Sequence, residues 1–171
     1  MSCSAISAGV LNGCSSNQGG LETIFIANGK VDSITEASGV VSAITVGGAA
    51  LTPSDFFSFE VPRQTSSISE TATGDIAQGT VIYQQSAIMI LNQMQASTRD
   101  QLQLIFQATN MVVVAKDNNG VYWSIGLERG AYGTSATSTS GVAYADRNGY
   151  EITISGTEKS PMFEITASIV E

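Results

Sequence analysis

Apolar residues recur at every second position through most of this chain, and at helical spacing in only one segment. Residues 21–27 (LETIFIA) read as a strand that runs into Asn28-Gly29, a strong hairpin-turn pair. Residues 31–36 and 40–46 follow as β-rich runs, separated by Ala37-Ser38-Gly39 and closed by Gly47-Gly48. An apolar run at 111–115 meets a second Asn-Gly turn in Asp117-Asn118-Asn119-Gly120, and residues 121–127 return from it. Residues 128–140 (ERGAYGTSATSTS) predict a polar loop. The segment 144–158 (YADRNGYEITISGTE) predicts a third hairpin, turning at Asn148-Gly149, with Tyr150, Ile152 and Ile154 on one face of its second strand. Pro161 interrupts, and residues 162–170 predict a last strand.

Two segments depart from this short-strand pattern. Residues 56–91 predict one long protruding β-hairpin. Phe57, Phe59 and Val61 alternate with polar residues on the way out, a Ser/Thr run carries the lone Ile68, and Gly74-Asp75 and Gln78-Gly79 mark a tip. On the return, Val81, Tyr83, Gln85, Ala87, Met89 and Leu91 share one face, with Ile82, Ile88 and Ile90 on the other. Arms of about 15 residues would reach roughly 50 Å, well beyond an ordinary strand, and an isolated ribbon needs a partner. The second segment is a short α-helix at about 97–109, with Ser97 or Thr98 as N-cap, a Thr98–Gln101 capping box and Asp100 in the first turn. Leu102, Ile105, Phe106 and Thr109 fall on one face, which suits a helix covering a sheet. The expected fold is therefore mainly β: an antiparallel β-sandwich or barrel with one flanking helix, forming a single domain over 21–171 behind a polar N-terminal arm over 1–20.

Composition narrows the chemistry. The 171 residues are 43% apolar but only 13% charged, with 15 acidic and 7 basic residues and a formal charge of −8. Ser, Thr, Gln, Asn and Gly must then cover the surface, as in an all-β protein or one that buries much of itself in an assembly. The acidic balance is the reverse of a nucleic-acid binder's. The absence of histidine removes His-based triads, imidazole bases and His-containing zinc sites. Cys3 and Cys14 are read as free thiols, with a short-loop disulfide as the alternative. The opening residues lack the charge and apolar core of a signal peptide, and no run reaches the roughly 18 apolar residues of a membrane span, so a soluble chain made in the cytoplasm is expected.

No catalytic, cofactor-binding or metal-binding residue stands out. Glu128-Arg129 and Asp146-Arg147 read as solvated loop charges. The stretch Asp117-Asn118-Asn119-Gly120 lacks the spacing and distal Glu of a calcium loop. Residues 126–130 (GLERG) lack the Gly-Lys-Ser/Thr ending of a phosphate loop. Tyr122 and Trp123 are adjacent in a strand and so point to opposite faces, which leaves at most one for a sugar-stacking surface.

Three pieces, in order, resemble the tube-forming tail proteins of bacteriophages: GCSSNQGGLETIFIANGKVDSI, GTVIYQQSAIMILNQMQASTRDQL, and KDNNGVYWSIG followed by DRNGYEITISGTEKSP. Together they span most of the chain. The resemblance implies a non-enzymatic structural protomer of a viral tail tube, built from six-membered rings that stack helically, with long hairpins joining into an inner β-barrel. DNA would pass through the lumen in transit during ejection, without specific binding. Partners would be further copies of the chain and tape-measure, tail-terminator and baseplate or tip proteins, with no membrane insertion. The location would be the virion tail, assembled in a bacterial host's cytoplasm. On this reading Phe57, Phe59, Ile68, Ile82, Ile88 and Ile90 belong to the inter-subunit ribbon, and Glu60, Glu70 and Asp75 are candidate lumen or ribbon acids. The alternative is a virion decoration, fibre or carbohydrate-binding β-sandwich module. A carboxylate hydrolase is the third reading, and no cluster of acids favours it.

Overall fold

The computed structural model describes residues 9–10, 17–75 and 77–171, so Cys3, Cys14 and most of the expected arm lie outside the described residues. In chain order the strands are β1 (Leu21–Asn28), β2 (Val31–Ala37), β3 (Val40–Val46), β4 (Ala49–Ala50), β5 (Phe57–Glu60), β6 (Ser67–Asp75) and β7 (Thr80–Asn92). Helix α1 (Ala96–Gln107) follows, then β8 (Met111–Asp117), β9 (Tyr122–Ile125), β10 (Tyr132–Thr139), β11 (Gly149–Glu158) and β12 (Glu164–Ile165). The chain is mainly β, with two sheets and one short helix, as a β-sandwich requires.

The larger sheet runs β2-β3-β12-β9-β8-β1-β5, with β4 on β3; the smaller runs β10-β11-β7-β6. β1 and β8 are apolar on both faces because both are buried. Ile24, Ile26, Met111, Val113 and Ala115 face the smaller sheet and meet Ala87, Met89, Ile152 and Ile154, with Leu102 and Ile105 of α1. Phe25, Ala27, Val112 and Val114 point the other way into a second core with Val41, Ile44, Phe56 and Ile165. β3 and β8 are three places apart in the sheet yet share this core, so the large sheet curls around it. A bulge between Leu21 and Thr23 resets the alternation, which is why Leu21 joins the first core with Ile24.

The structure corrects several expectations. The hairpin over 56–91 is not one ribbon. β5 pairs with β1 in the large sheet, and only β6 and β7 form a hairpin, in register from Ser67↔Ile88 to Asp75↔Thr80. Pro62 and the positive φ of Gln64 (62°) turn the chain from one sheet to the other. β7 pairs with β11 up to Tyr83, so only the tip beyond it projects, by about 10 Å rather than 50. The N-cap of α1 is Gln95 without a side-chain bond, so Ser97, Thr98 and Asp100 do not cap it.

Of the three expected Asn-Gly hairpin turns only Asn119-Gly120 closes a hairpin, β8–β9. Asn28-Gly29 is a crossover bend whose Gly29 N–H donates to the Asn110 carbonyl, and β1 does not pair with β2. The expected strand before Asn148 is loop, and the expected polar loop over 128–140 contains β10. The expected last strand is the two-residue β12 and a 3-10 turn, Ala167–Ile169.

Candidate functional site

The smaller sheet is the distinctive surface. Among the described residues both its edges are open: β6 pairs only with β7, and β10 only with β11. Ile90 N–H is aimed at the Ser66 hydroxyl and Gln93 N–H at the Asn148 carbonyl. Even residues of β7 therefore bond toward β6 and odd residues toward β11, and alternation carries this across the sheet. It leaves the backbone groups of Glu70, Ala72 and Gly74 free along one edge and those of Ala136 and Ser138 free along the other. The bulge at Gly133/Ser135 confines the regular part of the β10 edge to Ser135–Thr139. Neither edge carries the lysine or proline that usually blunts an exposed strand.

The outer face of this sheet, turned from the core, is polar and nearly uncharged. Ser67, Ser69, Thr71, Thr73, Ser86, Thr153, Ser155 and Thr137 project there around Ile82, Ile88 and Ile90. The four strands contain no Lys or Arg. Glu151 on this face is paired with Arg147 at 3.1 Å.

The sheet is also staggered. β6 is centred opposite Gln84 of β7, whereas β10, traced through β11, is centred opposite Met89, five residues further along. Five residues of rise across the sheet's three strand spacings correspond to a slope of about 50°; with the seam to a next copy counted as a fourth spacing the slope is about 40°, within the 35–45° tilt of closed barrels. For an L-polypeptide the bonding pattern of β7 puts β6 on the left and β10 on the right, viewed on the outer face with β6 running up. A barrel closed with this face inside then has right-handed strands, as strand twist requires.

The predicted ribbon residues are scattered. Phe57 is exposed and Phe59 half-buried on β5; Ile68 packs into the first core; Ile82, Ile88 and Ile90 line the outer face of β7. Among the predicted acids, Glu60 sits on β5 beside a groove of about 1040 Å³ that also touches Glu22, Arg63 and Asn118. Glu70 is on the inner face of β6, where its Oε2 accepts Met162 N–H (2.6 Å) and Gln85 Nε2–H (3.2 Å). Only Asp75 shares the outward parity, and its Oδ1 caps the hairpin tip through Ala77 and Gln78 N–H. Ile88 is 37% exposed and Ile90 only 5%. Ile88→Asp is therefore expected to melt within a few degrees of the parent, while Ile90→Asp should lose its cooperative transition. Equal melting temperatures for the two would contradict this placement.

The other polar groups serve the fold. Burial works against ionisation of Asp117, but N–H donors from Val121 and Asn119 hold its carboxyl below the usual range and close the β8–β9 turn. The neighbouring Asn118 and Asn119 side chains grip residues 17–19, through Gly19 O (2.7 Å), Gln18 O (2.9 Å) and Asn17 Oδ1 (3.0 Å). Tyr122 is buried with its hydroxyl donating to Glu171 (2.8 Å), and Trp123 Nε1–H reaches Asp117 at 3.5 Å. These two aromatics therefore form no exposed platform. Asp146 is held below the usual carboxylate range by Ala143 and Val142 N–H. Among the described residues no group of three or more Cys, Asp or Glu is placed to hold a metal, and no helix is long and apolar enough to cross a membrane.

A buried network escaped sequence reasoning. Glu158, 2% exposed, accepts N–H bonds from Glu128 (3.0 Å) and Arg129 (3.0 Å), while Glu128 accepts Lys159 N–H and the Ser160 hydroxyl in return. Gln85 beside them accepts Gly126 N–H. The two loops are thus cross-tied by carboxylates that the sequence separates by 30 residues. No protein-family model, curated protein or solved structure matches the chain.

Proposed function

We propose that this chain is a structural protomer of a tube, a phage-tail-type tube on the sequence resemblance, in which the smaller sheets of successive copies join edge to edge into one barrel. The observation that carries the reading is the pair of open edges, β6 and β10, whose stagger, with the seam spacing counted, gives a slope near that of a tilted closed barrel. Copies in a ring share one orientation, so β6 of one runs antiparallel to β10 of the next, the pairing direction used throughout the sheet. Closure removes both edges at once. Six copies would give twenty-four strands, and at this tilt a backbone-to-backbone diameter of roughly 48 Å.

The outer faces would then line the lumen. A wall of Ser and Thr hydroxyls whose strands contain no Lys or Arg, and whose flanking Arg147 is paired with Glu151, offers phosphates little to hold, which suits a conduit for DNA in transit. Asp75 would face that lumen, whereas Glu60 and Glu70 would not. Stacked rings, the virion location and the tape-measure, terminator and baseplate partners belong to the same reading and rest on the resemblance alone.

Negative-stain images of the concentrated protein are expected to show rings or tubes, and a monomer at every concentration in sedimentation would overturn the reading. A sharper test is Ala136→Pro. The Ala136 N–H faces the open edge, so proline removes a seam donor without taking a bond from the β10–β11 ladder. The variant should fold with a nearly unchanged melting temperature and assemble only at concentrations at least about tenfold higher. Normal assembly by this variant would show that β10 is not the seam.

A further inference from the structure

We infer that α1 is a docking rail for the hairpin of the adjacent copy, with Arg99 meeting Glu70 and Phe106 meeting Ala72 and Val81. The inference rests on the edge-to-edge ring and adds a contact that the ring alone does not require.

Among the described residues the inner face of the β6–β7 tip is apolar and uncovered in its own copy. Val81 is 55% exposed, and Ala72 beside it on β6 is exposed too. At the other end of the sheet, Phe106 projects from the flank of α1 over Gly133 of β10 and remains 38% exposed. The free groups of β6 and β10 can pair only in even steps of register, and a slide of six residues, one more than the stagger between strand centres, brings the neighbour's Ala72 and Gly74 level with Ala136 and Gly133. Val81, directly opposite Gly74 on the same inner face, then lands against Phe106.

The same placement fits a second pair. Arg99 lies seven residues before Phe106, two turns back on the same flank and about 10 Å lower along the helix. Glu70 lies about 10 Å below the midpoint of Ala72 and Gly74 along β6. α1 and the neighbour's β6 run in the same direction, so both pairs meet at once. Among the described residues Arg99 is engaged only by a 3.9 Å contact to Asp100 at the surface. Glu70 Oε1 accepts no hydrogen bond among the described residues, both of its bonds going to Oε2. A strand seam of four or five residues buries far less than the roughly 1,000 Å² of a durable interface, and a flanking apolar contact with a charge pair supplies more.

The test uses the full chain with Cys3→Ser and Cys14→Ser, so that introduced thiols are the only targets. Val81→Cys and Phe106→Cys chains are mixed under assembling conditions and treated with a short bis-maleimide. A covalent dimer is expected from the mixture and from neither chain alone. Arg99→Glu should raise the concentration needed for rings by about tenfold without moving the melting temperature of the monomer. Rings that form without the Val81–Phe106 cross-link would overturn the rail and leave the ring standing. A Val81–Val81 product would overturn it in favour of a two-fold contact. A chain that stays monomeric at all concentrations would overturn the rail together with the ring.

Discussion

Gly126→Ala is expected to cost about 4 kcal/mol of folding stability, read as a lower denaturant midpoint at unchanged slope. Gly126 sits at φ +73°, where a side chain adds roughly 1–3 kcal/mol of backbone strain. The added Cβ would also run into the Ala131 backbone nitrogen and lie 2.7 Å from its Cα. Those atoms cannot retreat, because Ala131 exchanges two backbone hydrogen bonds with Met111 at 2.8 and 2.9 Å. Met111 is itself fully buried in the core between the sheets. Gly39→Ala is the control: its φ is +83°, yet nothing lies within 4 Å of the new Cβ. It should lose only about 1 kcal/mol. If the two alanine variants unfold at the same midpoint, crowding at Ala131 is not what fixes Gly126.

The sequence disclosed elements better than it disclosed partnerships. The β-rich runs at 21–27, 31–36, 40–46 and 111–115 all became strands, because burial on one or both faces leaves a local trace. Pairing leaves none. The run at 57–60 looked continuous with the hairpin, but β1 offered it a place in the other sheet. β10 was invisible for a related reason. Its residues YGTSATST face solvent on both sides, so no alternation marks them, and only the ladder with β11 makes them a strand.

That blind spot covers the candidate site. A strand exposed on both faces and along one edge reads as loop from composition, whereas in the fold it is an unfilled position in a sheet. The stagger between β6 and β10 is likewise a property of three registers together, which no single segment encodes. The Asn-Gly pairs show the converse error. Asn28-Gly29 and Asn119-Gly120 mark bends, whereas Gly149 is already the first residue of β11, and whether a bend joins neighbouring strands depends on which strand the sheet accepts next.

Stability is expected to peak in mildly acidic solution and to decline toward neutral pH, and Glu158→Gln should remove that decline. Burial pushes the Glu158 carboxyl above its ordinary 4.5, more strongly than the Arg129 and Glu128 N–H bonds pull it down; the nearby Glu128 charge adds to the rise and that of Arg129 opposes it. The folded state therefore holds this proton more tightly than the unfolded state. Its contribution is complete below 4.5 and is lost as pH rises through the raised folded value. Asp55, Asp117, Asp146 and Glu171 act in the opposite sense. Each is held below its ordinary value, so each stabilises above that value and gives way as pH falls through the lowered one. The two sets leave an optimum between them. Glutamine at 158 still accepts from Glu128 and Arg129 N–H at one oxygen and cannot ionise, so it should match the parent in acid and exceed it at pH 7. Alanine leaves those donors without their acceptor and should cost about 3 kcal/mol at either pH. Urea midpoints at pH 5 and pH 7 separate the cases: a Gln variant that declines toward neutrality as steeply as the parent would mean that Glu158 is not the group whose titration sets the slope.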